Sequence, residues 1–238
     1  MLPSNRNYAG MRSTDESQAI AAFMSRVYSW MLVGISITAI TSFVVSGTPA
    51  IISEIVQNKL LFFGLIILQF VAVISLTVWV QRMSVTMASF VFALYSTLTG
   101  MTLSVLFLVY TMASITSAFV VTSVAFGGLS AFGYITKRDL GPIGTFCMMG
   151  LFGLIAVMVL GLFIPSMMGN TMQLTISVLG LLIFAGLTAY DTQRIKYLQS
   201  QFVSADQARK GAIYGALILY LDFINLFLNI LRLMGDRR

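Results

Sequence analysis

The 238-residue sequence has no histidine, a single cysteine, four prolines and few charges: only 9% of its residues are Asp, Glu, Lys or Arg, against roughly a quarter in a soluble domain. Without histidine there is no imidazole base, no serine-histidine pair, no histidine-ligated haem and no histidine metal site. One cysteine rules out an intrachain disulfide and a thiolate zinc cluster. Cys147 sits inside an apolar run and reads as a packing residue. The scarcity of charge, beside 58% apolar residues, excludes a soluble fold.

Long apolar runs fill the chain instead. A membrane-spanning helix needs about 20 mostly apolar residues, and runs of that kind cover 27–47, 60–80, 84–107, 114–136, 142–164, 172–193 and 211–234. The prediction is an all-α polytopic membrane protein with seven spans. From Met83 to Thr136 no charge occurs over 54 residues, enough for two crossings with a turn in Tyr110–Thr116 but not for three. Gly141-Pro142 opens the fifth span, where a proline removes no internal hydrogen bond.

Outside the 27–234 transmembrane domain lie an N-terminal segment, 1–26, and a short basic tail, 235–238. The first apolar run is too long and too late for a cleaved signal peptide, so it stays as a span. Ser13 and Glu16 have capping-box spacing, and Ala19, Ile20, Phe23 and Val27 recur at helical intervals, which predicts a short amphipathic helix at the interface.

The formal charge of +6 points to orientation, with the lipid bilayer as partner and no nucleic acid implied. Arg6, Arg12, Arg26, Arg82, Lys137, Arg138, Arg194, Lys196, Arg209 and Lys210 fall on one side, and Lys59 alone on the other. The amino terminus is therefore expected in the cytoplasm. Arg232, Arg237 and Arg238 break this pattern: the seventh segment either crosses regardless or is re-entrant.

Two carboxylates stand where charge is expensive. Asp222 is near the middle of the last segment and Asp191 late in the sixth, and an ionised aspartate at mid-bilayer costs about 2.5–3.5 kcal/mol on insertion scales. At 100° per residue, Gly211, Gly215, Asp222, Asn225, Asn229 and Arg232 share an arc of about 100°, so this face points into the protein. The Gly211/Gly215 pair permits close helix approach, which places the last helix centrally. Asp222 is either functional or merely bonded to Asn225 and neighbouring helices. Asp191 is either functional or paired with Arg194 at the membrane surface.

If the aspartates meet, like charges in a low dielectric force them to share a proton, as a pH sensor requires. The span limits leave them about 10 Å apart along the membrane normal. Closing that gap requires the sixth helix to run on to about Leu198 or the last helix to sit deeper. Gln69, Asn225 and Asn229 are candidate pore or interhelical polar contacts. Arg82 is either a positive-inside anchor or a contact of the acidic pair.

The blocks AYDTQRIKYL (189–198), LYLDFINLFLNILRLMG (219–235), YSTLTGMTLS (95–104) and GYITKRDL (133–140) resemble the Bax-inhibitor family, in its bacterial branch. The resemblance runs from about Arg26 onward. It implies a seven-helix fold with the last helix wrapped by the other six. It also implies a non-enzymatic, pH-sensitive, calcium-permeable leak channel of a bacterial inner (cytoplasmic) membrane, gated by an aspartate pair. That pair falls on Asp191 and Asp222, and the arginine that latches it in the family falls on Arg82 or beside it at Gln81. A glutamate found in the second helix of some members corresponds to Gln69, which removes one cation-attracting charge.

No cofactor is expected; calcium and protons are the ions concerned. Two carboxylates offer at most four oxygens where calcium takes six to eight, so Asp191 and Asp222 would hold it weakly and transiently, with waters or carbonyls completing the shell. The rival expectation is a non-transporting regulatory protein acting through protein-protein contacts. An intramembrane aspartyl protease is disfavoured, because Tyr190-Asp191 supplies only half of that signature. A retinal receptor lacks a lysine in the last span.

Overall fold

A computed structural model describes residues 5–164, 166 and 169–237, with side chains from Ser17 onward. Among the described residues the helices are α1 (Asn5–Ser46), α2 (Pro49–Gln57), α3 (Lys59–Trp79), α4 (Val85–Leu103), α5 (Leu106–Val109), α6 (Met112–Ile135), α7 (Gly141–Phe163), α8 (Asn170–Leu198) and α9 (Ala205–Met234). No strand is present among them beyond one isolated bridge between Tyr110 and Arg237. All but α2 belong to segments long and apolar enough to cross a membrane, α4 and α5 together forming one of them. The protein is an all-α multi-pass membrane protein with seven spans.

Helix starts are closed by local chemistry. The side chains of Asn58, Ser84 and Thr111 accept the backbone N–H groups of Leu61, Met87 and Ser114 at 3.1–3.2 Å. Ser204 and Gln207 form a reciprocal capping box at α9, and Pro142 occupies the first turn of α7. Amides at a helix start have no partner within the helix, and hydrocarbon offers none, so these caps fix where α3, α4, α6 and α9 begin.

The helix α9 is the centre of the molecule, with Ile213, Ala216, Leu219, Tyr220 and Leu226 fully buried. On one side α1 packs on α4 and α4 on α3; on the other α6 packs on α8 and α8 on α7. Two three-helix groups thus clasp one helix, which makes its largest contacts with α8, α1 and α6. The outer faces are apolar and open to lipid, as at Phe70, Phe146 and Phe152.

With apolar side chains equally at home in lipid, cohesion here rests on close packing and interhelical hydrogen bonds. The Tyr220 hydroxyl meets Thr38 Oγ1 at 2.6 Å, and Thr38 donates to the Ser96 carbonyl at 2.8 Å, joining α9, α1 and α4. Phe92 and Tyr95 stand edge-on to the Tyr220 ring. A second chain links α1, α6 and α8: Tyr28 to Ser130 at 2.6 Å and Ser130 to Thr192 at 3.0 Å.

The structure differs from the sequence expectations at four places. The amphipathic segment before Val27 is no separate element, because α1 runs unbroken from Asn5 to Ser46; the Ser13/Glu16 cap lies outside the described side chains. The first loop holds a helix, α2, whose Ile52 and Ile55 are buried against Val45, Phe62 and Met101. The α8 helix continues past residue 193 to Leu198 and α9 begins at Ala205, six residues before the expected start.

The last segment also crosses completely. At 1.5 Å per residue the 30-residue α9 is about 45 Å long. Its far end returns to the turn between α5 and α6, where the Asp236 amide donates to Ser114 Oγ at 2.9 Å and the Thr111 amide to the Asp236 carbonyl at 3.3 Å. That turn and the Val80–Arg82 turn, which the start of α9 meets through Lys210, lie at opposite ends of the bundle, so Arg232 and Arg237 sit on the face away from Arg82, Arg209 and Lys210.

Candidate functional site: two aspartates on one cavity

Asp191 comes from the last third of α8 and Asp222 from the middle of α9. The extension of α8 to Leu198 brings Asp191 to the depth of Asp222. Both side chains line one cavity of about 440 Å³ enclosed by α7, α8 and α9. They are buried, with 8% and 4% of their surfaces exposed.

The two carboxyls differ in their partners. Asp191 Oδ1 lies 4.0 Å from Arg194 Nη1, one turn along its own helix, at the outer limit of an ion pair. Asp222 Oδ2 is fully buried and accepts no hydrogen bond among the described residues. A buried polar oxygen left unpaired costs about 1–3 kcal/mol, so the site holds Asp222 at the expense of stability.

The remaining polar stripe of α9 lines the same cavity: Asn225, Asn229 and Arg232. Asn225 donates to the Leu221 carbonyl and Asn229 to the Asn225 carbonyl, each at 2.8 Å. Both amides are thus tied to their own helix, and Asn225 leaves Asp222 unbonded. Leu151, Leu154, Phe184 and Leu187 supply the apolar wall. The small end of the stripe makes the close approach its spacing predicts: a Cβ at Gly215 would stand 3.0 Å from Ile195 of α8 and 3.3 Å from Val27 of α1.

Gln69 lies away from this cavity. Its amide nitrogen reaches Thr102 Oγ1 and its oxygen accepts from Thr99 Oγ1, both at 3.4 Å, bridging α3 and α4. Arg82 ends a 3-10 turn, Val80–Arg82, and is exposed, with no ion pair among the described residues. The backbone of that turn is instead held by Lys210, which the sequence offered only as an orientation-setting charge. Lys210 is buried, pairs with Asp206 at 2.9 Å and donates to the Gln81 carbonyl at 3.1 Å. The signal was available in the sequence as an Asp-Lys pair at i,i+4. Gln193 was also passed over: it accepts from the Leu140 amide at 2.9 Å and donates to the Arg138 carbonyl at 2.8 Å, anchoring α8 two residues from Asp191.

Comparison with known proteins identifies the relatives of the chain. Residues 20–238 match the family model described as inhibitor of apoptosis-promoting Bax1. The chain is 42% identical over 221 residues to the inner membrane protein YbhL of Escherichia coli strain K12, covering 92% of this chain and 93% of that one. It is 37% identical over 229 residues to an uncharacterized protein of Borreliella burgdorferi, with 94% and 97% covered. An uncharacterized protein of Deinococcus radiodurans matches at 37% over 218 residues, with 92% of each chain covered. A match over nearly the whole length, with both intramembrane aspartates inside it, places the chain in the Bax inhibitor family.

Proposed function

We propose that this protein is a calcium-permeable leak channel of a bacterial inner membrane, oriented with its amino terminus in the cytoplasm, in which protons exchanging on Asp191 and Asp222 control opening. The supporting observation is the pair itself: two buried aspartates from adjacent helices line one cavity, and one of them has a buried oxygen without a partner among the described residues. Two negative charges at that depth repel strongly; one shared proton lets one carboxyl donate to the other and draws α8 and α9 together. Adding or removing a proton breaks the bridge and shifts the population toward an open arrangement.

Calcium passing the pair would meet few fixed oxygens, which suits transit better than storage. Arg232 at the far end of the cavity and Arg194 beside Asp191 keep the path from being uniformly negative. Such a path passes a small current rather than a large one.

The test is calcium entry into dye-loaded proteoliposomes between pH 5 and 8. The native protein is expected to give a pH-dependent flux, and both Asp191→Asn and Asp222→Asn to flatten that dependence. Vesicles no leakier than empty ones, with the protein shown to be folded, would refute the channel and favour a regulatory protein whose aspartates serve only packing.

A further inference from the structure

The tail-side end of the bundle carries a feature beyond the aspartate cavity, with which it shares Met158 and Arg232. Two cavities of about 380 and 300 Å³ share Gln173, Arg232 and Arg237 in their walls. The first is bounded by Met158, Leu162 and Ile176, all apolar, from α7 and α8. The second reaches Asn170 and Ser177 at the start of α8. The ion pairs of the described residues involve Arg194 and Lys210 only, so neither arginine is neutralised by a described carboxylate.

Charge runs the wrong way here. Basic residues concentrate at the opposite end of the bundle, and the third and fifth loops carry none, yet these two arginines line the same recess. The α8 helix opens there from Gly169, with no side-chain cap for its first amides, so its positive dipole end adds to the field. A planar guanidinium fork matches phosphate oxygens in pairs. The adjoining apolar wall opens to lipid, Leu162 being 77% exposed. A phosphate that arrives with a hydrocarbon chain fits both halves of the recess.

We propose that Arg232 and Arg237 bind the phosphate of an anionic phospholipid headgroup, with an acyl chain lying along Met158, Leu162 and Ile176. The site is separate from the conduction reading and holds or fails independently of it. Because Arg232 also lines the aspartate cavity, an occupied headgroup site fixes one wall of that cavity.

Native mass spectrometry of the full chain in nonionic detergent tests this, with dilauroyl phosphatidylglycerol, dilauroyl phosphatidylcholine and inorganic phosphate as probes. Phosphatidylglycerol is expected to bind about tenfold more tightly than phosphatidylcholine and to resist displacement by millimolar phosphate. Near a membrane surface each arginine contributes about 1 kcal/mol, or about fivefold, so Arg237→Gln should weaken binding about fivefold and the Arg232→Gln/Arg237→Gln double variant about thirtyfold. Arg237 is exposed, so its substitution leaves the fold in place, and Arg82→Gln at the other end of the bundle should change nothing. The proposal is overturned if the double variant binds phosphatidylglycerol as the native chain does, if Arg82→Gln weakens it equally, or if inorganic phosphate displaces the lipid.

Discussion

Gly133 of α6 lies directly on the backbone of Ala189 in α8, two residues before Asp191. A Cβ added there would stand 2.9 Å from the Ala189 carbonyl carbon and 3.0 Å from its Cα, and closer still to the carbonyl oxygen; ordinary contact begins at 3.4 Å. These are backbone atoms that no rotamer change can move aside. Gly133→Ala must therefore part the two helices by at least about half an ångström, at an overpacking cost of about 1–3 kcal/mol. Gly128 in the same helix has nothing within 4 Å of such a Cβ, so Gly128→Ala gains the same helix propensity without the clash. The difference between the two variants is the packing cost alone, roughly 2–12 °C in melting temperature for a chain of this size. Cys147 is the sole cysteine and is buried, so a thiol-reactive fluorogenic maleimide reports unfolding directly. If Gly133→Ala melts at or above Gly128→Ala, the α6–α8 contact is not the close approach described.

The Tyr220–Thr38–Ser96 chain predicts an asymmetry in the same assay. Tyr220→Phe leaves Thr38 still donating to Ser96 and should cost about 1 kcal/mol, whereas Thr38→Val removes the bonds to both Tyr220 and Ser96, leaving the buried Tyr220 hydroxyl only Thr99, and should cost about 2 kcal/mol; equal losses would contradict the donor order. Lys210→Met keeps the buried stem and removes both polar contacts of the ammonium, for a loss of about 1–2 kcal/mol and earlier protease cleavage near Gln81. Gln193→Ala leaves the buried Leu140 amide without its acceptor and should destabilise by about 1–3 kcal/mol; amide exchange at Leu140 no faster than in the native chain would refute that bond.

What a short stretch of sequence determines was legible. Run length against bilayer thickness gave seven spans, and the cost of a carboxylate in hydrocarbon singled out Asp191 and Asp222 before any fold was considered. The misjudged features all depend on distant partners. Asp191, Gln193, Arg194 and Lys196 read as the polar end of a span, yet Gln193 and Ile195 are buried because the loop before α7 and the start of α9 cover them, so the helix continues. The α2 helix is too short to announce itself and exists because Ile52 and Ile55 find a pocket. The far-side location of the tail follows from hydrogen bonds to Thr111 and Ser114, more than a hundred residues away.

The helix that holds the two halves together comes after both of them in the chain. Until Ala205–Met234 leaves the ribosome, the α1–α3–α4 and α6–α7–α8 groups share few contacts with one another, and the faces bearing Phe92, Tyr95 and Thr188 lack the covering they have in the finished protein. A chain that stalls or is cut before residue 205 would enter the bilayer as two loosely associated trihelical bodies with lipid filling the slot meant for protein. Assembly is thus committed only once α9 has been made, and chains lacking it would present polar, groove-like surfaces within the membrane.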